Sequence, residues 1–350
     1  MFIYGSFQNI IEEIYQGGKE REMSFSYPIR RPEKPIVKMA IVGFGGCGCN
    51  TTSNLYGKSA IRLIAVDTDA SVLSIAKADA VVHIGEFLTK GRGTGGDIGL
   101  GRKVAEKDVD KVLDAIGEPD LLVAAAGLGG GVGSGAMPYI LSAFREKHPD
   151  KLIGAVVTMP FKYEGAERIK NAQIALRELL DATDFVIVNL NDLLLKRYGD
   201  LPVQDAMKIM DSMLVYGLSG LADMLDPTNS VIRTDFSDFT SVVKRSGVNL
   251  LGYGIQASAR KATERAIEQC LLDADLSTAR GALVFVKAPL GANLKEASEA
   301  PRVLNEIYGV DKVTWGLKVA PDVKRTHVMV VASGVSSQTI DETLKEIGGE

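Results

Sequence analysis

The residues best suited to chemistry are glycines. The sequence holds 37, and three clusters of them fall between residues 43 and 135. The longest reads Gly127-Leu128-Gly129-Gly130-Gly131-Val132-Gly133-Ser134-Gly135. Glycine lacks a Cβ, so its backbone can approach a ligand closely and adopt positive φ. Successive main-chain N–H groups in such a loop can surround a phosphate, and a helix that follows adds partial positive charge. A tight structural turn does not need this many glycines. The first cluster, Gly43-Phe44-Gly45-Gly46-Cys47-Gly48-Cys49-Asn50, satisfies G-x-G-x-x-G, with Asp67 about 20 residues on. Alone, that pattern also fits a fold binding NAD, but such a fold leaves the second run without a role. A third cluster, Gly91-Arg92-Gly93-Thr94-Gly95-Gly96-Asp97, offers further amides. No G-x-x-x-x-G-K-[ST] loop is present, which excludes a P-loop NTPase.

A second candidate group is acidic. Asp235 and Asp238 stand three apart in Arg233-Thr234-Asp235-Phe236-Ser237-Asp238. At a helix start that spacing can put both carboxylates on one face. Two acids can orient and polarise a water, together with a cation, for attack on phosphorus. The same pair can equally serve as a helix cap. His83, His148 and His327 are scattered with no zinc-type spacing, so no protein-held metal site is expected. Cys47, Cys49 and Cys270 read as reduced thiols of a cytosolic protein.

The elements that position these residues follow from the apolar pattern. Residues 36–42, 61–66, 121–126, 152–159 and 185–190 read as short buried strands separated by helices. That alternation predicts an α/β fold with a parallel sheet and helices on both faces, with ligands at the carboxyl ends of the strands. A long helix over 205–224 carries a stripe through Ala206, Ile209, Met210, Met213, Leu214, Gly217, Leu218 and Leu221. Beyond 240 the texture changes to a smaller α+β domain: helices near 258–273 and 294–308, strands over 283–288, 313–319 and 328–332. The expected organisation is an extension (1–35), a nucleotide-binding domain (36–204), a central helix (205–225), a C-terminal domain (226–335) and a short tail (336–350). In the extension, Phe7, Ile10, Ile11, Ile14 and Tyr15 recur at helical spacing. Its acidic polar face argues against a membrane anchor, and Pro28, Pro32 and Pro35 mark a linker. Composition is that of a soluble globular protein, 46% hydrophobic and 24% charged with net charge −4. Nucleic-acid binding and membrane insertion are not expected.

At this point the ordered motifs resemble those of FtsZ, the prokaryotic relative of tubulin, over roughly residues 36–335. The run 129–135 is similar to the superfamily signature GGGTGSG. Residues 43–50, Val66-Asp67-Thr68-Asp69-Ala70 and Gly93-Thr94-Gly95-Gly96-Asp97 resemble the other nucleotide loops. Pro160-Phe161-Lys162-Tyr163-Glu164-Gly165, with Arg168, resembles the ribose-contacting segment, and Asn191-Asp192 and Asp211 fall where the family contacts guanine. The resemblance implies a Rossmann-like GTPase domain joined through a long central helix to a smaller α+β domain. It implies that Gly45, Gly46, Cys47, Asn50, Asp67, Asp69, Gly95, Gly96, Gly129, Gly130, Gly131, Val132, Gly133, Ser134, Gly135, Pro160, Glu164, Arg168, Asn191 and Asp211 bind GTP or GDP. Mg²⁺ would be held mostly by phosphate and water. A carboxylate at Asp211 can accept from guanine N1–H and the exocyclic amine, while Glu164 can accept from ribose hydroxyls and Arg168 can pair with phosphate or with Glu164.

The resemblance also makes Asp235 and Asp238 catalytic, completing the active site of a neighbouring copy, which generates a head-to-tail homopolymer. The implied role is a cytoplasmic filament at the division site, with membrane-tethering or division proteins as partners. Several residues depart from the pattern. Val132 replaces the usual threonine, Cys49 a common glycine, and Arg233 the usual asparagine. Arg233 either reaches across to the γ-phosphate or pairs with Asp235 or Asp238 and slows hydrolysis; slow or altered hydrolysis is the favoured expectation. Little follows Gly334, and no tether-recruiting peptide is recognisable there. These departures leave a weakly hydrolysing filament acting in cell shape as the alternative.

Overall fold

The computed structural model describes residues 37–57, 61–226 and 230–346. The expectations for residues 1–35 lie outside the described residues. Strand β1 (Met39–Phe44) runs directly into helix α1 (Gly45–Leu55), and β2 (Arg62–Asp67), α2 (Ala70–Ile75), β3 (Ala80–His83), α3 (Glu86–Thr89) and α4 (Ile98–Ile116) follow. Strand β4 (Leu121–Gly127) leads through a π-type turn (Val132–Ala136) into α5 (Met137–Lys147), β5 (Leu152–Met159), α6 (Ala166–Ala182), β6 (Phe185–Leu190) and α7 (Asn191–Tyr198). Helix α8 (Val203–Leu225) then carries the chain to β7 (Ser230–Ile232), α9 (Phe236–Val243), β8 (Gly247–Gln256), α10 (Ala259–Gln269) and β9 (Ala274–Asp275). The remainder is β10 (Gly281–Ala288), α11 (Leu294–Ala297), α12 (Glu299–Arg302), β11 (Val313–Val319), β12 (Thr326–Ser333), β13 (Ser336–Ser337) and α13 (Gln338–Lys345).

The main sheet has the order β3-β2-β1-β4-β5-β6-β8-β12-β10-β11-β7. From β3 to β6 every neighbouring pair is parallel, as the βα alternation predicts. Apart from the edge strand β3, these strands are buried on both faces, which explains their near-continuous apolar runs. One core packs Val42, Ala124, Val157 and Val188 under α4, α5 and α6. The other packs Ile41, Val123, Val156 and Ile187 against Leu214, Leu218 and Leu221 of α8. The sheet passes into its mixed half where Phe185–Ile187 of β6 pair in parallel with residues 247–249 of β8.

Three expectations for the second half need correction. Strand β8 was not predicted, because Gly247, Gly252 and Gly254 break its apolar pattern. Gly252 and Gly254 are there for α10: a Cβ on either would lie 2.3 Å from Ala266 O or 2.0 Å from Ala262 O. The helix expected over 294–308 is interrupted, since Pro301 has no N–H to bond the preceding turn. The helix expected to reach 273 stops at Gln269, freeing Leu271 O to accept the Leu190 N–H at 2.6 Å. In addition, residues 338–345 of the polar tail form α13. Ser337 caps it, Asp273 accepts from Thr339, and Arg177 of α6 donates to Leu344 O.

Candidate nucleotide site

Helix α1 begins two residues into the first glycine cluster, with Gly45 at φ +70°. No side chain caps it, so its leading N–H groups are left for a ligand, and the helix dipole favours an anion there. The glycines of this cluster divide the work. A Cβ on Gly43 would meet Gly48 O at 2.1 Å, and one on Gly48 would meet Ala125 O at 2.2 Å. These two let the helix press onto β1 and β4. A Cβ on Gly46 would meet nothing within 4 Å, so Gly46 borders open space.

The second cluster divides in the same way. Gly131, Gly133 and Gly135 are packing glycines, whose added Cβ atoms would meet Thr94 Oγ1 at 2.1 Å, Gly127 O at 2.4 Å and Ile98 O at 2.2 Å. Gly129 holds φ +95° beside Arg168. Gly130 has nothing within 4 Å, and its N–H donates to no main-chain acceptor among the described residues. Ser134 is buried, and its hydroxyl accepts the Gly129 N–H at 2.7 Å, so that hydroxyl shapes the turn. Val132 is 5% exposed and belongs to the apolar core. A threonine hydroxyl would sit poorly in that apolar setting, which gives the departure at this position a packing reason.

The second and third loops are tied to each other. Asp67 is 4% exposed, and its Oδ1 accepts the N–H groups of Thr68 at 2.6 Å and Asp69 at 3.2 Å. Burial raises its pKa. Asp69 caps α2 by accepting from Ser71 N and Oγ, and the Ser71 hydroxyl chiefly holds its carboxyl below the usual range. Both acids therefore fold the loop with their carboxylates. Asp69 also bridges Arg92 main chain to main chain. In the third loop Gly95 and Gly96 take φ +62° and +90°, and a Cβ on either would meet nothing within 4 Å. Asn171 of α6 donates to Gly96 O at 3.1 Å, and Asp97 caps α4.

Beside these loops lies a more polar end. Pro160 closes β5, Glu164 accepts the Phe161 N–H at 2.8 Å, and its other oxygen pairs with Arg168 Nε at 3.0 Å. Of the two partners open to Arg168, the single chain supplies Glu164. Asn191 opens α7, and Asp192 accepts the Lys162 N–H at 3.2 Å. Asp211 of α8 is beside Asn54 and Cys47 of α1, and burial raises its pKa. Burial pushes the Cys47 thiol up to about 11; the Asp211 charge adds to that, and a hydrogen bond with Thr158 opposes it. Asn50 is exposed on the same helix. Asn54, Thr158 and Asn171 were not singled out in the sequence. Asn54 alone had a signal, one helical turn from Asn50 on the same face. Among the described residues no group of three or more His, Cys, Asp or Glu side chains is placed to hold a metal.

Arg233, Asp235 and Asp238 lie elsewhere. Asp235 caps α9 by accepting the Asp238 N–H at 2.7 Å, and Asp238 accepts the Asp235 N–H at 3.3 Å. Both carboxylates are exposed, and Arg233 is exposed beside them. Thr234 abuts Gly316 of β11. The helix that Asp235 caps packs Phe239 against Phe185, the first residue of β6, with ring centroids 6.1 Å apart. The acid pair therefore stands beside β11, on a helix packed against the start of β6, and not among the glycine loops that follow the carboxyl ends of β1 and β4.

With the geometry in place, similarity to known proteins is informative. The family model described as Tubulin/FtsZ family, GTPase domain, matches residues 38–199, and that of the FtsZ family, C-terminal domain, matches 247–336. Cell division protein FtsZ 1 of Pyrococcus abyssi is 37% identical over 318 residues, 88% of this chain and 84% of its own. Cell division protein FtsZ of Haloferax mediterranei is 36% identical over 312 residues, 86% of this chain and 81% of its own. An empty FtsZ dimer from M. jannaschii superposes with TM-score 0.78 at 29% identity, covering 94% of this chain and 92% of that one. CetZ2 from Haloferax volcanii, a GTPgS-bound protofilament, gives TM-score 0.77 at 24% identity over 88% and 97%, a likeness of fold alone. The chain therefore belongs to the Tubulin/FtsZ family of GTPases.

Proposed function

We propose that this chain binds GTP at the carboxyl ends of β1, β4, β5 and β6, and that head-to-tail assembly of its copies completes the hydrolytic site. One observation carries the reading: the open amide cradle follows the carboxyl ends of β1 and β4, whereas the exposed acid pair stands apart from it, beside β11 on a helix packed against the start of β6. The phosphates face the uncapped start of α1, Gly46, Gly95, Gly96 and Gly130. Guanine faces Asp211 and Asn191, whose acceptors and donors match its edge. The lower end of the next copy brings Asp235 and Asp238 over the γ-phosphate. There they orient a water in line with the bond to the β-phosphate and receive its proton. Mg²⁺, when bound, would supply neutralisation of phosphate charge, and it would rely on the nucleotide rather than on a protein cage, since no side-chain cluster among the described residues is placed to hold a metal. Such a contact joins two different surfaces and does not close on itself, so it propagates as a filament. Hydrolysis then weakens the contact and permits turnover.

The decisive experiment is sedimentation combined with phosphate release, using GTP and a non-hydrolysable analogue. Asp235→Asn is expected to pellet with GTP but release little phosphate. Undiminished release by that variant would remove the acid pair from the mechanism. The cellular role we assign is division, in the cytoplasm at the division site, because relatives 37% and 36% identical to this chain are named cell-division proteins. A fluorescent fusion should then form a ring at midcell before constriction; filaments along the cell body with no division defect on depletion would instead assign the chain to cell shape.

A further inference from the structure

We propose that Arg233 acts across the subunit contact as a cation on the γ-phosphate bound by the neighbouring copy; this rests on the trans-completed site argued above. Around Arg233 the chain alternates: Arg233 exposed, Thr234 buried, Asp235 exposed. In extended backbone, residues two apart point the same way, and Asp235 at φ −84°, ψ 169° is extended. Arg233 and Asp235 therefore leave the surface side by side. Both ends of this short segment are fixed. Ile232 pairs with Leu317 of β11, and Asp235 and Asp238 lock each other in the reciprocal helix cap.

Despite this proximity, Arg233 makes no ion pair among the described residues. Its neighbouring carboxylates accept main-chain N–H groups instead. That arrangement disfavours self-neutralisation, in which Arg233 would tie up the acids and slow hydrolysis. It leaves a permanently charged, five-donor group on the surface that holds the two acids. The anion able to meet it there is the triphosphate of the next copy. In the reaction a water oxygen bonds to the γ-phosphorus while the bond to the β-phosphate oxygen breaks. The water's proton passes to the acid pair, and negative charge grows on the β-phosphate oxygen. Arg233 stabilises that charge without gaining or losing a proton, and its fork fits two phosphate oxygens at once.

The test uses the full chain. Arg233→Asn should pellet with GTP yet lose turnover, toward the roughly 10³-fold that arginine fingers supply, and Arg233→Lys should recover only part. Unchanged or faster turnover in polymerised Arg233→Asn overturns the proposal. A mixing experiment covers variants that assemble poorly alone. Gly130→Asp places a carboxylate where the cradle is open, at a position with nothing within 4 Å to clash, and so should bind no GTP while keeping Arg233. Mixing it with Arg233→Asn should restore hydrolysis, as should mixing it with Asp235→Asn. Restoration by the second mixture but not the first overturns the role of Arg233 alone. Restoration by neither overturns the trans-completed site, and this inference with it.

Discussion

Asp235 holds two jobs that substitution can separate. As the cap of α9 it satisfies a main-chain N–H, and as a carboxylate it is proposed to act on a neighbour's nucleotide. Asparagine caps helices nearly as well as aspartate but cannot take a proton. Asp235→Asn should therefore keep stability within a few tenths of a kcal/mol and lose turnover, whereas Asp235→Ala should lose turnover and about 1 kcal/mol of stability. Chemical denaturation alongside phosphate release reads both. Cys47 offers a second test at this scale. With its pKa near 11, it is almost entirely a thiol at pH 8 and should react slowly with iodoacetamide. The Asp211 charge is the second cause of that shift, after burial. Asp211→Asn should lower the pKa, raise the thiolate fraction and speed labelling severalfold in nucleotide-free protein, as peptide mass spectrometry would show. An unchanged rate would mean that burial alone governs this thiol.

At the scale of elements, the glycine clusters hold packing joints as well as open positions. Gly131 lets the turn after β4 sit against Thr94 and Asp97, and Gly101 of α4 closes the same joint from the other side, since its Cβ would meet Gly131 O at 2.1 Å. Gly131→Ala should cost about 1–3 kcal/mol through overpacking. The adjacent Gly130→Ala meets nothing and should leave the unfolding midpoint almost unmoved while weakening GTP binding. Equal destabilisation by the two would contradict the division between packing and cradle positions. Signature spacing alone does not separate these two uses, because both appear as glycine. What separates them is the position of α4, an element far along the chain.

At the scale of the whole molecule, α8 runs from Asp211, beside Asn54 of α1, toward the segment that carries the acid pair. From Asp211 to Leu225 it spans about 21 Å. Its C-terminal half faces β8, β10 and β12 across a cavity of about 360 Å³, lined in part by Tyr216, Asp223, Tyr253, Lys287, Asp322, Lys324 and His327. His327 Nδ1 lies 2.7 Å from the Tyr253 hydroxyl. Burial and then the Lys287 charge lower its pKa, while Asp322 opposes them. The unfolded chain therefore takes up this proton at a higher pH than the folded one. Stability from His327 is complete above about pH 6.5 and declines as pH falls toward the lower folded value. Urea midpoints at pH 7.5 and 5.5 should differ by less in His327→Gln than in the parent. An identical pH slope in the two would place the acid sensitivity elsewhere.

The sequence alone determined the parallel sheet, the long helix and the place of the glycine clusters after strands, because apolar period and glycine content are local properties of the chain. Strands β5, β6 and β11 match their predicted limits for that reason. It did not reveal β8, whose glycines serve the backbone of α10, nor the partners Thr158 and Asn171, each contributed from another segment of the chain. Tertiary structure also decided what the carboxylates and hydroxyls do. Asp67, Asp69 and Ser134 turn back onto main-chain N–H groups, while Gly46 and Gly130 are left facing open space. Above all, only tertiary packing sets the acid pair beside β11 and away from the glycine run. Distance in space depends on which strands become neighbours, and no local pattern carries that.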